Sequence, residues 1–513
     1  MLLPAASPLP ALGCRGFSLV SLNVLLPNSV DGWWIYKMYG PGVPEAATTW
    51  TARQSLLKDL LLRADADILT LQETSAESFE SDFSFLFEAG YDCALHAKGR
   101  MRPATFWKRG RFCLCQANGT PLVMAAAPAP AAVPATAPAP AAAPVTAPAA
   151  EAEGSPREEA PSGLDAFTTA SSLIHGDRTL TVPLAALDES GSVLASVPPL
   201  NVVNCHLSAG QEARRRLRQV HDALEAIRKA QDKASGGAGG AKGGKGGKKG
   251  GKAEPAAEAM SAVVVCGDFN SQGSTAVRQL LCAGEVLPDF RESGDPTELR
   301  QQENEVTSKP KRHKLGAFFD AAAAAFGEAD GVSPPPSLIC PTLQPKMARE
   351  DTDEPTEGLL QALGGMFAKL SADGETMTAP EQEHWLTLVN KKVGRGDEYR
   401  NAAKARLARG EDVTDLTKRD FEWIYAQELS NGKFWGIEHD LRVVTGTGLA
   451  TAGEPPFTAR FDYAYATSAS LRLHGAQPPL STEQMTALLE GRAQVPSVAA
   501  RVSLLWCPLR SGR

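Results

Sequence analysis

The stretch at residues 263–271, where a run of valines ends abruptly in glycine, aspartate and asparagine, constrains the fold most strongly. Such a run is typical of a short strand buried on both faces. Asp268 and Asn270 are two residues apart at its carboxyl end, so we expect both to lie on one face of the sheet. The rim formed by such strand ends is where α/β proteins hold their ligands. The sequence therefore predicts a functional site directly after this strand.

Three other predicted strands also end in polar residues. The strand at residues 18–24 ends near Asn23, and the strand at residues 67–73 ends on Glu73. The strand at residues 201–207 ends near His206. Amides, carboxylates and an imidazole gathered at one rim suit a divalent cation and a phosphate better than they suit a packed core. We therefore interpret the four strand ends as parts of one site.

The composition is that of a globular protein without a broad surface for polyanions. At 513 residues the chain exceeds one ordinary core, which predicts one large domain with insertions, or two domains. The net charge of −7 argues against a surface that coats nucleic acid but leaves room for a local phosphate cleft. No apolar run approaches the roughly 20 residues that a membrane span needs. Nine scattered cysteines without zinc-ligand spacing favour a reducing compartment, so we expect the cytoplasm, with the nucleus and organelles left open.

Two segments are predicted to lie outside any core. Residues 124–161 contain alternating alanine and proline, which form an extended chain without a hydrophobic face. Residues 233–257 are rich in glycine and lysine, which favour disorder. The lysines either tether RNA or an acidic surface, or belong to a solvated loop, which is the favoured interpretation. The remaining residues 16–123, 162–355 and 443–513 are predicted to form one domain.

Strands and amphipathic helices alternate along this domain. Helices are predicted at residues 50–64, 75–88, 210–231 and 273–282, between the strands already described, and a final strand is predicted at residues 461–466. Residues 91–95 and 105–108 are predicted to pair as antiparallel strands across a basic turn. Alternation of this kind, together with antiparallel pairs, indicates an α/β domain with mixed sheets and helices in layers.

A second, helical unit is predicted at residues 356–442. Its helices are expected at residues 357–370, 379–392, 396–408 and 415–430, and the aspartate–glycine break after the first helix invites comparison with a calcium loop. With Gly374 at the sixth loop position, the candidate Ca²⁺ ligands are Ser371, Asp373 and Glu375. Carboxylates are missing at the first and twelfth positions, so tight Ca²⁺ binding is disfavoured. The helix pair itself is the better prediction, and it could bind a protein partner.

Five short motifs occur in order, at residues 21–25, 71–73, 204–207, 267–271 and 462–465. Together they resemble the endonuclease/exonuclease/phosphatase superfamily, and within it the deadenylase and nocturnin-like branch. The helical insertion, including residues 392–400, is similar to that of plant and algal members described as calcium-binding through an EF-hand-like insert. The resemblance implies a two-sheet α/β sandwich with a helical insertion. It also implies a phosphodiester hydrolase that depends on Mg²⁺ or Mn²⁺.

The resemblance further implies which residues hold the metal and the water. Glu73 matches the metal-binding carboxylate, with Asn23 beside it, and Asp268 matches the residue that orients or activates the attacking water. Mg²⁺ is a hard cation that keeps several waters, so one or two carboxylates suffice. The structural alternatives are a turn role for Asn23 and a helix N-terminal role for Glu73.

The phosphate contacts are implied in the same way. His206 and Asn270 match residues that contact the phosphate, and Asp462 matches a residue that holds the metal or a partner histidine. An imidazole and an amide can donate hydrogen bonds to developing negative charge without competing for the metal. The structural alternatives are a satisfied structural histidine and a cap on the helix that follows residue 270.

One part of the family pattern is missing. The family closes with a serine–aspartate–histidine segment, but residues 495–504 carry valine and alanine at the corresponding places, and His474 lies too close to Asp462 to substitute. Arg501 could supply positive charge there but not acid–base chemistry. Losing such an imidazole costs about 10² to 10⁴ in rate. A slowed enzyme, a pseudoenzyme and an altered C-terminal gene model all remain open.

Two classes of function therefore follow from the sequence. The first is a metal-dependent phosphodiesterase on RNA, such as a 3′ exonuclease. The aromatic residues at 33–39 and Trp107 either stack bases or belong to the core. A phosphatase on a nucleotide or phosphoinositide is the alternative enzyme. The second class is a non-catalytic module that binds phosphate or a partner. Both classes require the carboxylates of Glu73 and Asp268 to lie within about 10 Å of each other, so that one ion and one small anion can bridge them.

Overall fold

The computed structural model describes residues 16–26, 49–116, 119–122, 165–236, 261–293, 305–327, 336–350, 352, 354–451, 454, 457–477 and 500–507. The predicted alanine/proline insertion at residues 124–161 and the aromatic loop at residues 33–39 lie outside these ranges. Most of the predicted glycine/lysine insertion at residues 233–257 does so as well, but residues 233–236 continue a helix.

The first of two large sheets contains six strands. In chain order they are β1 (Gly16–Asn23), β2 (Ile68–Ser75), β3 (Tyr91–Leu95), β4 (Met101–Lys108), β18 (Leu471–Gln477) and β19 (Ala500–Trp506). Their order across the sheet is β18-β19-β1-β2-β4-β3, and only β1 and β2 are parallel neighbours in it.

The second large sheet contains β5 (Phe112–Leu114), β6 (Ile174–His175), β7 (Thr179–Ala186), β8 (Leu200–His206), β9 (Ala262–Asp268), β12 (Phe318–Asp320) and β17 (Asp462–Thr467). Their order across the sheet is β12-β17-β9-β8-β7-β5, with the short β6 paired to β7. Here β8 and β9 are the parallel neighbours. The described residues also form three two-stranded ribbons: β10 (Glu285–Val286) with β11 (Lys311–Arg312), β13 (Leu338–Cys340) with β16 (Phe457–Ala459), and β14 (Thr376–Met377) with β15 (Leu416–Thr417).

The two large sheets face each other across a shared apolar core. Alternate residues of each strand, such as Leu19 in β1 and Val264 in β9, point into this core. The other residues of the same strands, such as Val20 and Val263, are covered by helices on the outer faces. The two-sheet α/β sandwich that the motifs imply is therefore confirmed. Trp107 is part of the core between the sheets, with 1% of its surface exposed, so it is not available to stack a base.

Helices cover both outer faces of the sandwich. In chain order they are α1 (Trp50–Ala64), α2 (Phe79–Asp82), α3 (Ser84–Glu88), α4 (Asp165–Thr168), α5 (Ala213–Gly236), α6 (Ala276–Ala283) and α7 (Ala321–Phe326). The short α8 (Gln344–Met347) instead packs with the helical unit, because Met347 belongs to the apolar core of that unit. Local signals set the ends of several of them. The side chain of Thr275 accepts a hydrogen bond from the backbone of Arg278 at the start of α6, and Gly284 ends that helix with φ 79°.

The helix predicted at residues 75–88 is wrong as a single element. β2 runs on to Ser75, and the segment then forms α2 and α3 with a break at Phe83. Phe79, Phe83 and Phe87 all pack against Phe106, with ring centroids 5.7, 5.9 and 6.0 Å away. The break does not interrupt this aromatic cluster, because residues four apart still lie on one face.

The helical unit is present and has its own apolar core. It contains α9 (Glu357–Leu370), α10 (Ala379–Asn390), α11 (Gly396–Arg409), α12 (Lys418–Ser430) and α13 (Phe434–Thr445). The last helix was not predicted, and it extends beyond the predicted boundary at residue 442. Phe434, Ile437 and Leu441 of α13 are buried in the same core as α9, α10 and α12. The apolar face of the helix pair is thus covered by the chain's own helix, and a protein partner for this unit stays a prediction.

Among the described residues, none of the helices combines the length and the apolar character needed to cross a bilayer.

Candidate active site at the rim of the sandwich

Four neighbouring strands of the second sheet place charged or titratable residues in one row. His206 in β8 is in register with Asp268 in β9, and Asp268 is in register with Asp462 in β17. On the other side, the backbone N–H of His206 donates to the carbonyl of Arg178, 3.0 Å away, just before β7. Neighbouring strands are about 4.8 Å apart, so the row forms one continuous stretch of the rim.

The first sheet contributes Asn23 and Glu73 from the ends of β1 and β2. Asn23 Nδ2 donates to Glu73 Oε1 and to Asp268 Oδ2, each at 3.0 Å. The two carboxylate oxygens are therefore no farther apart than twice 3.0 Å. His206 Nε2 lies 3.4 Å from the same Glu73 oxygen. The predicted convergence of Glu73 and Asp268 within about 10 Å is met.

Backbone conformations at this rim are unusual. Seven non-glycine residues have positive φ among the described residues, and five of them belong to the rim: Leu25, Leu26, Glu73, Arg178 and Asn270. Residues in this region of φ are disfavoured and persist only where the surrounding structure fixes them. The strain is therefore concentrated where the polar side chains converge, as is common at functional sites.

Gly267 shows why the motif has glycine before Asp268. Its φ is 128°, and a Cβ atom at this position would lie 2.0 Å from the carbonyl oxygen of Cys205 in β8. Only glycine lets the two parallel strands approach this closely. The close approach of β8 and β9 at Gly267 thereby places Asp268 beside His206.

Burial and hydrogen bonding shift the pKa values of Glu73 and Asp268 in opposite directions. Burial raises the pKa of Glu73, but the hydrogen bonds and charge of His206, the amide of Asn23 and the charge of Arg178 outweigh it, so the net pKa is lowered. Burial also raises the pKa of Asp268; His206 and Asn23 oppose the rise without cancelling it. Glu73 is thus held ionised, while Asp268 is the stronger proton acceptor of the two.

Asp462 holds its proton more firmly than an ordinary aspartate. Burial raises its pKa well above the usual value, and the charge of neighbouring Asp268 adds to this rise. Its backbone N–H donates to Ser337 Oγ at 3.2 Å, and the Arg460 side chain reaches its carbonyl at 3.3 Å. Asp462 therefore lies in the row next to Asp268, and hydrogen bonds hold its backbone in place.

Several buried polar atoms of the site have no hydrogen-bond partner within the described part of the chain: Glu73 Oε2, His206 Nδ1 and Asp462 Oδ1. Buried polar atoms are normally bonded, so such atoms call for an explanation such as an ion or water. Carboxylate oxygens fit Mg²⁺ or Mn²⁺, with Glu73 as the ligand at hand. The described residues contain no cluster of three or more histidine, cysteine, aspartate or glutamate side chains with metal-holding geometry. Glu73 Oε2 is the atom that would hold a Mg²⁺ ion, which keeps several of its waters in proteins.

Asn270 has a different set of contacts from the one implied by the motif. Its backbone N–H donates to Asp268 Oδ1 at 2.7 Å, and its side-chain Nδ2 donates to the carbonyl of Leu207 at 3.0 Å. The amide nitrogen therefore braces the loop that follows His206. The role of Asn270 in contacting phosphate stays a prediction.

A polar layer below the rim fixes the two sheets relative to each other. Gln72 Nε2 in β2 donates to Asn204 Oδ1 in β8 at 2.8 Å, and Asn204 Nδ2 donates to the carbonyls of Leu71 and Ala104. Gln72 and Asn204 are fully buried. The sequence placed both residues inside the motifs, but their pairing across the sandwich depends on the tertiary structure. Because they bond across the interface, they set the distance between Glu73 and His206.

Arg501 does not reach the site from β19. It is in register with Val20 in β1, and Val20 belongs to the face of the sheet that the helices cover. Directly paired residues point to the same face, so Arg501 lies on the outer side. The hypothesis that Arg501 supplies positive charge to the site is therefore wrong. His474 is exposed on the edge strand β18, and residues 495–499 lie outside the described residues.

The calcium-loop candidates form a closed network of their own. Asp373 Oδ1 accepts hydrogen bonds from the side chain of Ser371 and from the backbone N–H groups of Glu375 and Thr376, at 2.8 Å each. These bonds hold the pKa of Asp373 far below its usual value. The exposed Glu375 contributes its backbone to this network. The carboxylate of Asp373 accepts its hydrogen bonds from groups of the loop itself, so this geometry gives Ca²⁺ binding no support.

Comparison with known proteins gives a likeness in fold alone. No family profile and no curated protein matches the sequence. The solved structure of ANGEL2, a 2′,3′-cyclic phosphatase, in complex with adenosine-2′,3′-vanadate covers 96% of this chain and 96% of its own, with a TM-score of 0.45 and 12% identity. The human nocturnin catalytic domain covers 97% and 96%, with a TM-score of 0.37 and 12% identity. The endonuclease/exonuclease/phosphatase from Bacteroides vulgatus covers 96% and 99%, with a TM-score of 0.36 and 10% identity. At these TM-scores and identities the likeness assigns no substrate.

Proposed function

We propose that this chain is a phosphodiester hydrolase of the endonuclease/exonuclease/phosphatase type, that it uses Mg²⁺ or Mn²⁺, and that RNA is its substrate, cleaved from the 3′ end. The observation that carries the proposal is the convergence on one rim of Glu73, Asn23, His206 and Asp268 from two separate sheets. Their arrangement supplies both a cation ligand and a proton acceptor beside an imidazole.

The residues would divide the reaction as follows. Glu73 would hold the cation through its unsatisfied oxygen, and Asn23 holds the two buried carboxylates close to each other through one shared donor. Bound Mg²⁺ supplies neutralisation of phosphate charge and polarisation of water. Asp268 accepts a proton from the water whose oxygen forms the new bond to phosphorus. His206 donates to a non-bridging phosphate oxygen, and the bond to the leaving oxygen breaks as that oxygen takes a proton from solvent.

The missing terminal histidine favours a second candidate function. The closing segment of the family carries an aspartate and a histidine that contact the scissile phosphate, and β19 (Ala500–Trp506) contains neither residue type. A site that lacks this donor would lose about 10² to 10⁴ in rate, which leaves a phosphate-binding module without turnover as the alternative. A phosphatase acting on a nucleotide or phosphoinositide is a further outcome of the same test.

The test is turnover by the full chain. Purified protein with Mg²⁺ is offered labelled oligo(A), a dinucleotide phosphate and a phosphoinositide. Asp268→Ala should lower release of product by about 10² to 10⁴, because the proton acceptor is lost. Asp289→Ala, which removes an exposed carboxylate near α6, is the matched control and should act like the wild type. Equal release by the wild type and Asp268→Ala would sink the enzyme proposal.

A further inference from the structure

Arg178 is a site residue that no motif indicated. It is the second residue of the two-residue turn between β6 and β7, where Gly176 and Thr179 are joined by a backbone hydrogen bond of 2.8 Å. Its φ is 59°, in the left-handed region that normally selects glycine or asparagine. Its carbonyl accepts the backbone N–H of His206. Arg178 thus ends the row of charged residues on the side opposite Asp462.

The acidic neighbour of Arg178 is committed elsewhere. Asp177 accepts two hydrogen bonds from Arg215 in α5, from Nε at 3.0 Å and from Nη2 at 3.1 Å, and a longer one from Arg218 at 3.4 Å. These arginines hold the pKa of Asp177 below its usual value. The turn is therefore anchored to α5 through Asp177, and the negative charge of Asp177 is neutralised without Arg178.

The guanidinium of Arg178 remains uncommitted. Throughout the described part of the chain it makes no hydrogen bond or ion pair, although it is half-buried. Its positive charge acts on Glu73, whose pKa it helps to lower. The turn accounts for the positive φ, because the second central residue of such a turn commonly takes a left-handed conformation. The turn does not account for a half-buried guanidinium that has no structural partner and acts on a cluster of buried carboxylates.

We propose that Arg178 is a substrate-binding residue that grips a non-bridging oxygen of the phosphate beside Glu73 and His206. This inference rests on the proposed function, and it names the group that supplies fixed positive charge to the substrate. A guanidinium presents a planar fork that matches phosphate oxygens and stays charged at every working pH. It therefore contributes to affinity rather than to proton transfer.

The left-handed backbone gives a test that separates binding from folding. Arg178→Gly removes the charge and relieves the backbone strain, so the thermal midpoint should stay equal or rise. Binding of AMP and of inorganic phosphate, measured by equilibrium titration of the full chain, should weaken about 10- to 100-fold. Arg178→Lys keeps a charge but not the fork and should fall between the two. Arg109→Gln is the control: it changes an exposed arginine that directly follows β4, and this variant should bind like the wild type.

Two outcomes would overturn this inference. Equal phosphate binding by the wild type and Arg178→Gly would do so while leaving Asp268-dependent turnover, and hence the proposed function, intact. A fall in thermal midpoint with unchanged affinity would show that Arg178 has a structural role. If Arg178→Gly loses affinity while the wild type shows no Asp268-dependent turnover, the inference is supported and only hydrolysis fails.

Discussion

Asn23 joins Glu73 of its own sheet to Asp268 of the facing sheet through one nitrogen atom, with both hydrogen bonds at 3.0 Å. Its Oδ1 is oriented by the backbone N–H of Leu25, which donates to it at 2.9 Å. The amide orientation is thereby fixed, with the donor group towards the carboxylates. Two buried carboxylates that would otherwise repel each other are held close by a neutral donor.

Replacing Asn23 with alanine should therefore damage both the fold and the site. The two carboxylates would lose a shared donor, which costs about 1–3 kcal/mol in the free energy of unfolding. Activity on oligo(A) should fall by about 10²-fold, because the geometry around the cation is no longer set. Urea unfolding at neutral pH and initial rates measure the two effects. Asn201→Ala, at the opposite end of β8, should leave the rate unchanged; a wild-type rate in Asn23→Ala would contradict this account.

Glu73 offers a test of the cation that does not depend on turnover. A ligand that binds only the folded state stabilises it by mass action, by about 2.7 kcal/mol at 100 times its dissociation constant. We expect Mg²⁺ to raise the thermal midpoint of the wild type and to have no such effect on Glu73→Gln. Glu80→Gln, which alters an exposed carboxylate near the same sheet, should retain the full rise. A rise that persists in Glu73→Gln would place the cation elsewhere.

His313 should make stability depend on pH outside the site. Its Nε2 lies 2.9 Å from the carbonyl of Leu280, and its Nδ1 accepts the backbone N–H of Leu315, so the buried ring is neutral. Burial lowers its pKa below 6.5. The unfolded chain then binds more protons than the folded chain below pH 6.5, so stability is full above that pH and is lost as pH falls through the folded pKa.

The corresponding measurement is the urea midpoint between pH 7.5 and pH 5. His313→Gln should flatten its decrease relative to the wild type. His474→Gln, at an exposed position on β18, should decrease like the wild type. An unchanged slope in His313→Gln would show that other groups carry the dependence.

The loop at residues 371–378 should not respond to Ca²⁺. Its carboxylate at Asp373 is occupied by Ser371, Glu375 and Thr376, and Glu381 Oε1 accepts the backbone N–H of Ala372 at 2.7 Å. We expect calorimetric titration with Ca²⁺ to give no saturable heat. Saturable heat that disappears in Asp373→Asn but persists in Glu383→Gln would restore the calcium hypothesis for this loop.

Much of the architecture could be predicted from local sequence. The valine run before Asp268 and the polar residues that end each strand identified β1, β2, β8 and β9, because alternation and strand-end residues are properties of a few consecutive positions. The amphipathic spacing predicted α1 and α9 within a residue or two of their observed ends. The break at Phe83 was not visible, since Phe79, Phe83 and Phe87 keep the four-residue spacing of one continuous helix.

The sequence by itself determined which residues stand at the strand ends and hence which chemistry the rim can offer. Only the tertiary structure decided how they meet. Arg501 lies outside the site because the register of β19 with β1 assigns its side chain to the outer face. Arg178 lies next to His206 because their backbones share a hydrogen bond between residues far apart in the chain. The hydrogen bonds of Asn23 require two sheets to close on each other. Register and closure depend on contacts between residues far apart in the chain, which no local pattern encodes.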